Sequence, residues 1–195
     1  RASDVTWAVG GLDEPGRDEK VALDLAAAGI EASAIGPEDT LGQMMARGEI
    51  DAIIAPHAPK AFWKNDGSVT HLWADVAATE RAYYKKTGIF PIMHMLGIRN
   101  AELDAMPELA GKLYDAFSQA RDEADERIRR VAYYTAMLPW LPDHVAETRA
   151  VMGDDFWPYG VEANRTCLET FLRYSSEQGM AARPVALEEL FAPGV

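Results

Sequence analysis

Two histidines lie in or beside apolar runs, where packing requirements alone would not favour an imidazole side chain. His57 follows the apolar run 52–55 and Pro56, and His94 lies in the middle of the apolar run 89–98. With an ordinary pKa of about 6.5, an imidazole exchanges protons near neutral pH, so both rings are candidates for acid–base chemistry. A histidine in an apolar run is also a common hydrogen-bonded core residue, and this structural interpretation stays open for both.

The two apolar runs predict the strands that would position these rings. A continuous apolar run bounded by Gly and Pro is typical of a strand covered on both faces in a parallel or mixed α/β sheet. Ligands of such sheets bind outside the strand ends, where the topology switches. We therefore expect His57 and His94 to project from sheet edges into a shared pocket.

The remaining pattern alternates strands and helices, which is typical of an α/β fold. The stretch 5–9 predicts a further strand, and the Ala-rich stretch 23–35 is ambiguous and has room for another. Thr40 and Gly48 are expected to cap a short helix between them. Further helices are predicted at 74–86, at 101–134 with Pro107 in its first turns, after residue 142, around Cys167, and briefly within 184–191.

Charge and composition narrow the class of partner. The 195 residues carry a net charge of −12, which disfavours nucleic acids and anionic membranes. A hydrophobic content of 48% with 26% charged residues is ordinary for a folded soluble protein of one or two domains. The mixed charges at 121–130 repeat at helical-neighbour spacing, and we interpret them as a solvated face without function.

Cysteine usage and hydropathy bear on the compartment. The single Cys167 excludes an internal disulfide, and we predict a buried structural thiol. No apolar run reaches the roughly 18 residues of a membrane span, and no signal segment opens the sequence. A cytoplasmic location is therefore expected, with a periplasmic or extracellular one as the alternative if a segment before Arg1 carried a signal.

An ordered set of segments resembles the 4,5-dihydroxyphthalate decarboxylase-like family over nearly the whole chain. The matching segments are VGGLDEPGR at 9–17, GEIDAIIAP at 48–56, YY at 83–84, TGIFPIMH at 87–94, MLPWLP at 137–142, GDDFWPYGVEANR at 153–165 and ELFAP at 189–193. The resemblance implies the type 2 periplasmic-binding-protein fold, a mixed sheet with flanking helices in two lobes. Members look longer at the amino end, so the two-lobe architecture is expected to be incomplete here.

On this resemblance, residues 1–56 and 57–89 form the remainder of one α/β lobe. Residues 90–195 provide a crossover strand and the helical return to the other lobe. The family's ligand lies in a cleft between lobes, so a chain without one cleft wall is expected to be impaired.

The resemblance also implies non-oxidative decarboxylation of a dihydroxylated aromatic dicarboxylate by protonation of a ring carbon. His94 is the predicted proton donor, while His57 either shares that role or helps Lys60 to bind a carboxylate. Arginine is expected at position 57 in many relatives, so His57 bears on substrate choice. Arg17 is predicted to bind the second carboxylate, Tyr159 to contribute a hydroxyl, and Trp157 an aromatic wall.

Each of these residues has a structural alternative. Arg17 and Lys60 can be ordinary surface cations. Trp157 and Tyr159 can pack at the edge of a hydrophobic core without contacting a ligand. No dinucleotide fingerprint and no helical metal-ligand spacing is present, so neither a cofactor nor a metal is predicted, while metal ligands from separate loops stay open as an alternative. A solute-binding protein that captures a small organic anion without chemistry is the alternative function, and self-association into a homo-oligomer stays open.

Overall fold

The computed structural model describes residues 2–17, 25 and 29–195, and most of the elements there are helices. Two short parallel strands, β1 (Trp7–Val9) and β2 (Ala32–Ala34), pair with Trp7 opposite Ala32 and Val9 opposite Ala34. The mixed α/β class is thereby confirmed, while the periplasmic-binding-protein fold stays a prediction. β2 lies in the stretch predicted as ambiguous, of which residues 23, 24 and 26–28 fall outside the described residues.

Seven α-helices follow in the described part of the chain. They are α1 (Leu41–Arg47), α2 (Val76–Thr87), α3 (Asn100–Ala105), α4 (Leu109–Ile128), α5 (Leu141–Met152), α6 (Val161–Glu177) and α7 (Leu187–Leu190). Short 3-10 turns lie at Ala2–Asp4 and Phe62–Lys64. None of these described helices combines the length and apolar character needed to cross a membrane.

Local capping residues explain where several helices begin and end. The Thr40 hydroxyl accepts a hydrogen bond from the Gln43 N–H at 3.2 Å, and Gly48 ends α1 with φ 71°. Both caps were predicted. Asp75 caps α2 by accepting from the Ala78 N–H at 2.9 Å, and Gly88 ends it with φ 69°.

The prediction of a single long helix at 101–134 is wrong. The chain forms α3 and α4 instead, with the break at residues 106–108, and α4 ends at Ile128. Pro107 lies in the break, where its missing N–H and its ring disfavour a continuous helix. Proline therefore separates two helices here rather than occupying the first turn of one.

The strands predicted at 52–55 and 90–98 are not formed in the described residues. Both stretches have neither helical nor strand hydrogen bonding, so the expected crossover strand is absent there. A strand requires a neighbouring backbone to hydrogen-bond, and the described chain offers these two stretches none. Their apolar side chains are consequently exposed, among them Ile54 at 83% and Met93 at 65%.

The chain divides into two compact units. The first contains the described residues up to Ala74 together with Glu177–Ala182, and the second contains Asp75–Ser176 and Arg183–Val195. Arg17, His57 and Lys60 thus belong to the first unit, whereas the other candidate residues belong to the second.

Candidate functional site

In the first unit, two loops converge at the start of α1. The glycine loop, residues 10–17, leaves the carboxyl end of β1, and the proline loop comprises residues 56–60. The Leu41 N–H donates to the Gly11 carbonyl at 2.9 Å, and the Gly42 N–H donates to the Leu12 carbonyl at 2.8 Å. These bonds fix the glycine loop against α1, at the strand end where α/β proteins commonly bind ligands.

Asp13 joins the two loops, a role that sequence reasoning missed. Both of its carboxylate oxygens lie 3.2 Å from the Lys60 backbone nitrogen, which donates to them. A Cβ on Gly42 would approach Asp13 Oδ1 to 2.9 Å and the Pro59 Cβ to 3.6 Å. Glycine at position 42 therefore lets α1 and both loops pack closely.

The structure places three predicted site residues on these loops. Arg17 lies at the end of the glycine loop, and His57 and Lys60 lie on the proline loop; all three are exposed. Within the described residues, their side chains have no hydrogen-bond or ion-pair partner. Exposed cationic groups can bind an anionic ligand despite the overall negative charge of the chain.

In the second unit, the tryptophan loop, residues 153–160, presents the two predicted aromatic residues. The Arg121 guanidinium of α4 lies over the half-buried Tyr159 ring, with its carbon 5.2 Å from the ring centroid. Trp157 is 45% exposed, and its ring centroid lies 5.8 Å from that of Phe90. Arg121 and Trp157 line the same open cleft of about 490 Å³, so Arg121 lies both over the Tyr159 ring and at the cleft that Trp157 borders.

Polar anchors fix both ends of this loop. Arg149 Nε donates to Asp154 Oδ1 at 2.8 Å, and this bond lowers the pKa of the Asp154 carboxyl. At the other end, the Asn164 side-chain amide donates to the Pro158 and Gly160 carbonyls, each at 2.9 Å. These bonds secure the two ends of the loop, while Trp157 in its middle keeps an accessible face.

His94 is exposed, and its ring has no hydrogen-bond partner within the described residues. It is not the hydrogen-bonded core histidine that the structural alternative required. The buried thiol predicted at Cys167 is wrong, because this residue is partly exposed, with Sγ 3.8 Å from the Phe90 carbonyl oxygen. Helical spacing predicted an inward face for Cys167 but could not predict how completely it is covered.

The cleft is rich in carboxylates. Asp122, Asp125, Asp154 and Asp155 line it beside Arg121, with Ile128, Phe156 and Trp157 as its large apolar lining. Within the part of the chain that the structure describes, no three His, Cys, Asp or Glu side chains are grouped closely enough to hold a metal ion. Since Arg121, Arg129 and Arg149 each pair with one of these carboxylates, the cleft offers an aromatic surface rather than free cations.

One known protein resembles the chain along almost its full length, and a second resembles less than half of it. The 4,5-dihydroxyphthalate decarboxylase of Comamonas testosteroni is 33% identical over 193 residues, which cover 99% of this chain and 58% of that protein. A 4,5-dihydroxyphthalate decarboxylase of Pseudomonas putida is 43% identical over 86 residues, which cover 44% of this chain and 33% of that relative. The chain thus spans well under two thirds of either relative. No protein-family model matches it.

Proposed function

We propose that the chain belongs to the family of the 4,5-dihydroxyphthalate decarboxylases, to two members of which it is similar, and that it carries out the non-oxidative decarboxylation of a dihydroxylated aromatic dicarboxylate. The observation that carries the proposal is the 33% identity over 99% of the chain, which includes both units. Arg17 and Lys60, exposed cations on the two converging loops whose side chains have no partner among the described residues, support it further. No observation favours the solute-binding alternative.

The chemistry defines what the protein must supply. In 4,5-dihydroxyphthalate each carboxylate is para to a hydroxyl, which can push electrons into the ring toward the carbon that loses CO2. The substrate dianion takes up one proton at that carbon and yields CO2 and the 3,4-dihydroxybenzoate monoanion. The protein therefore needs cations that bind the carboxylates and an acid that protonates the ring carbon.

The first unit has the groups to bind a carboxylate. Arg17 offers a planar guanidinium for bidentate binding, and Lys60 offers an ammonium group on the neighbouring loop. His57 lies on the same loop as Lys60 and offers an imidazole that could hydrogen-bond the same carboxylate. In our proposal Arg17 and Lys60 determine substrate affinity, and their replacement raises KM.

The acid is assigned to His94, with His57 as the alternative donor. An exposed imidazole without a protein partner is free to meet a substrate and to be protonated again by water. Trp157 would contact the face of the aromatic ring, and Tyr159 would contribute a hydroxyl contact. These roles predict that His94 affects kcat, whereas Trp157 affects mainly KM.

A product assay tests the function directly. The chain is incubated with 4,5-dihydroxyphthalate, with and without a chelator, and CO2 and 3,4-dihydroxybenzoate are quantified. We expect stoichiometric formation of both products, unaffected by the chelator. Recovery of intact substrate together with a ligand-induced melting shift would instead support the solute-binding function.

The role of His94 requires its own comparison. General acid–base groups commonly contribute about 10²- to 10⁴-fold to the rate, so H94Q should lower kcat on that scale. The matched control is H144Q, because His144 is an exposed histidine on α5 whose side chain has no partner in the described residues. Unchanged turnover in both H94Q and H57Q would refute the proposed proton donors.

A further inference from the structure

We propose that Arg121 is a positioning residue that holds the tryptophan loop in the shape in which Trp157 meets the aromatic ring of the substrate. This inference rests on the proposed function for the identity of the substrate. It assigns a role to a residue whose sequence context indicated only a solvated charge.

Arg121 connects α4 to a loop more than 30 residues further along the chain. Its guanidinium carbon lies 5.2 Å from the Tyr159 ring centroid, and Nη1 lies 3.8 Å from Asp155 Oδ1. Its side chain is only 23% exposed. The ring quadrupole attracts a cation over the aromatic face, and this attraction is stronger at sites shielded from water.

The hydrogen bonds of Arg121 argue that it orients the loop rather than binding a carboxylate substrate. Nε and Nη2 both donate to Asp122 Oδ1, at 3.0 Å and 2.7 Å, and this pairing raises the pKa of the guanidinium. Asp122 thereby fixes the guanidinium plane from within α4. A substrate carboxylate would have to displace Asp122 and approach a cleft lined by further aspartates.

Contacts of Arg149 and Asn164 secure the ends of the tryptophan loop, so the proposed role of Arg121 concerns the middle of the loop. Arg149 fixes Asp154, and Asn164 fixes Pro158 and Gly160, so both ends of the tryptophan loop are secured without Arg121. Tyr159 lies between these anchors, and its ring is contacted by Arg121. Loss of Arg121 should therefore change the orientation of the middle of the loop, where Trp157 lies, without releasing its ends.

Fluorine NMR tests the positioning independently of activity. The chain has five tryptophans, and 5-fluorotryptophan labelling gives each a resonance that single Trp→Phe variants assign. We expect R121A to shift and broaden the Trp157 resonance more than the others and R121K to have a smaller effect. The control R127A removes an arginine of α4 whose partner, Glu123 at 3.5 Å, lies on the same helix. It should leave the Trp157 resonance unchanged.

Kinetics then test the consequence for the substrate. We expect R121A to raise KM for 4,5-dihydroxyphthalate about tenfold, which corresponds to about 1.4 kcal/mol, with kcat nearly constant. If Arg121 acts through Trp157, W157A raises KM similarly and the double variant adds less than about twofold. The proposal would be overturned if the effects of R121A and W157A on KM multiply in the double variant. It would also be overturned if R121A leaves the Trp157 resonance unchanged. If wild type neither binds nor converts the substrate, the proposed function fails while the NMR result still decides the role of Arg121.

Discussion

Replacement of Gly11 by alanine tests whether the glycine loop has the tight shape that brings Arg17 toward the start of α1. An alanine Cβ at this position would lie 1.8 Å from the Glu14 carbonyl oxygen and 3.0 Å from its carbonyl carbon. It would also lie 3.4 Å from the Arg17 Cβ. The obstructing atoms belong to the backbone, so rotation of a side chain cannot relieve the clash.

The magnitude follows from the displacement that the methyl group requires. Non-bonded carbon and oxygen atoms ordinarily stay roughly 3.5 Å apart, so the backbone at Glu14 must move by about 1.7 Å. Overpacking of this kind costs about 1–3 kcal/mol, and the reduced freedom of the unfolded alanine variant offsets about 0.4–1 kcal/mol. We therefore expect G11A to lower the free energy of unfolding by about 1–2 kcal/mol and to raise KM through displacement of Arg17.

Equilibrium urea unfolding, compared at a common slope, measures this loss. G36A is the matched control in the same unit, since its added Cβ would meet Asp39 Oδ2 at 2.7 Å, the far end of a side chain that can rotate away. G36A should be close to wild type. If G11A unfolds at the wild-type urea concentration, the loop does not have the described conformation and the placement of Arg17 is refuted.

Three further predictions address a helix cap, an ion pair and the acid. T40A should lower the free energy of unfolding by about 1 kcal/mol, and T40S should restore most of it, because Thr40 is 3% exposed and its hydroxyl caps α1; urea unfolding measures both. The Arg183 guanidinium, with the Ala186 N–H, lowers the pKa of Glu189 from 4.5 to about 2, so the stability from this pair is present above pH 4.5 and lost as the pH falls toward 2. Carbon NMR titration of the Glu189 carboxyl should show R183Q raising this pKa, and an unchanged value would exclude the pair. The pH profile of kcat should lose one limb in H94Q if His94 is the acid, whereas H144Q should keep the wild-type profile.

The two helix caps predicted at Thr40 and Gly48 depend on local contacts, and both were confirmed. Thr40 and Gly48 act on backbone groups within four residues of themselves, so the nearby sequence is enough to predict where α1 begins and ends. The placement of Arg17 and Lys60 on exposed loops also follows from local signals, because glycine and proline punctuate both stretches. What local signals omit is Asp13, whose hydrogen bond spans 47 positions along the chain.

The strands predicted at 52–55 and 90–98 depended on distant residues, and these predictions were wrong. An apolar run becomes a strand only when another backbone satisfies its N–H and C=O groups, and that partner is distant in sequence. The stretches 52–55 and 90–98 carry the composition of covered strands without such a partner among the described residues. Composition thus predicted the intrinsic preference of these stretches, and pairing, which composition does not encode, determined the outcome.

The charge run at 121–130 was interpreted as a solvated face, and this interpretation fits Arg127 better than Arg121. Arg127 in the same run pairs with Glu123 one turn away, as helical periodicity predicts, and its side chain is 62% exposed. Arg121 has the same kind of neighbours in sequence, yet it is 23% exposed because α4 turns it toward Tyr159. Periodicity identifies which residues share a helix face but not what packs against that face. If Arg121 positions Trp157, its chemistry depends on the loop it meets, and two arginines with similar sequence surroundings will differ in their effect on KM.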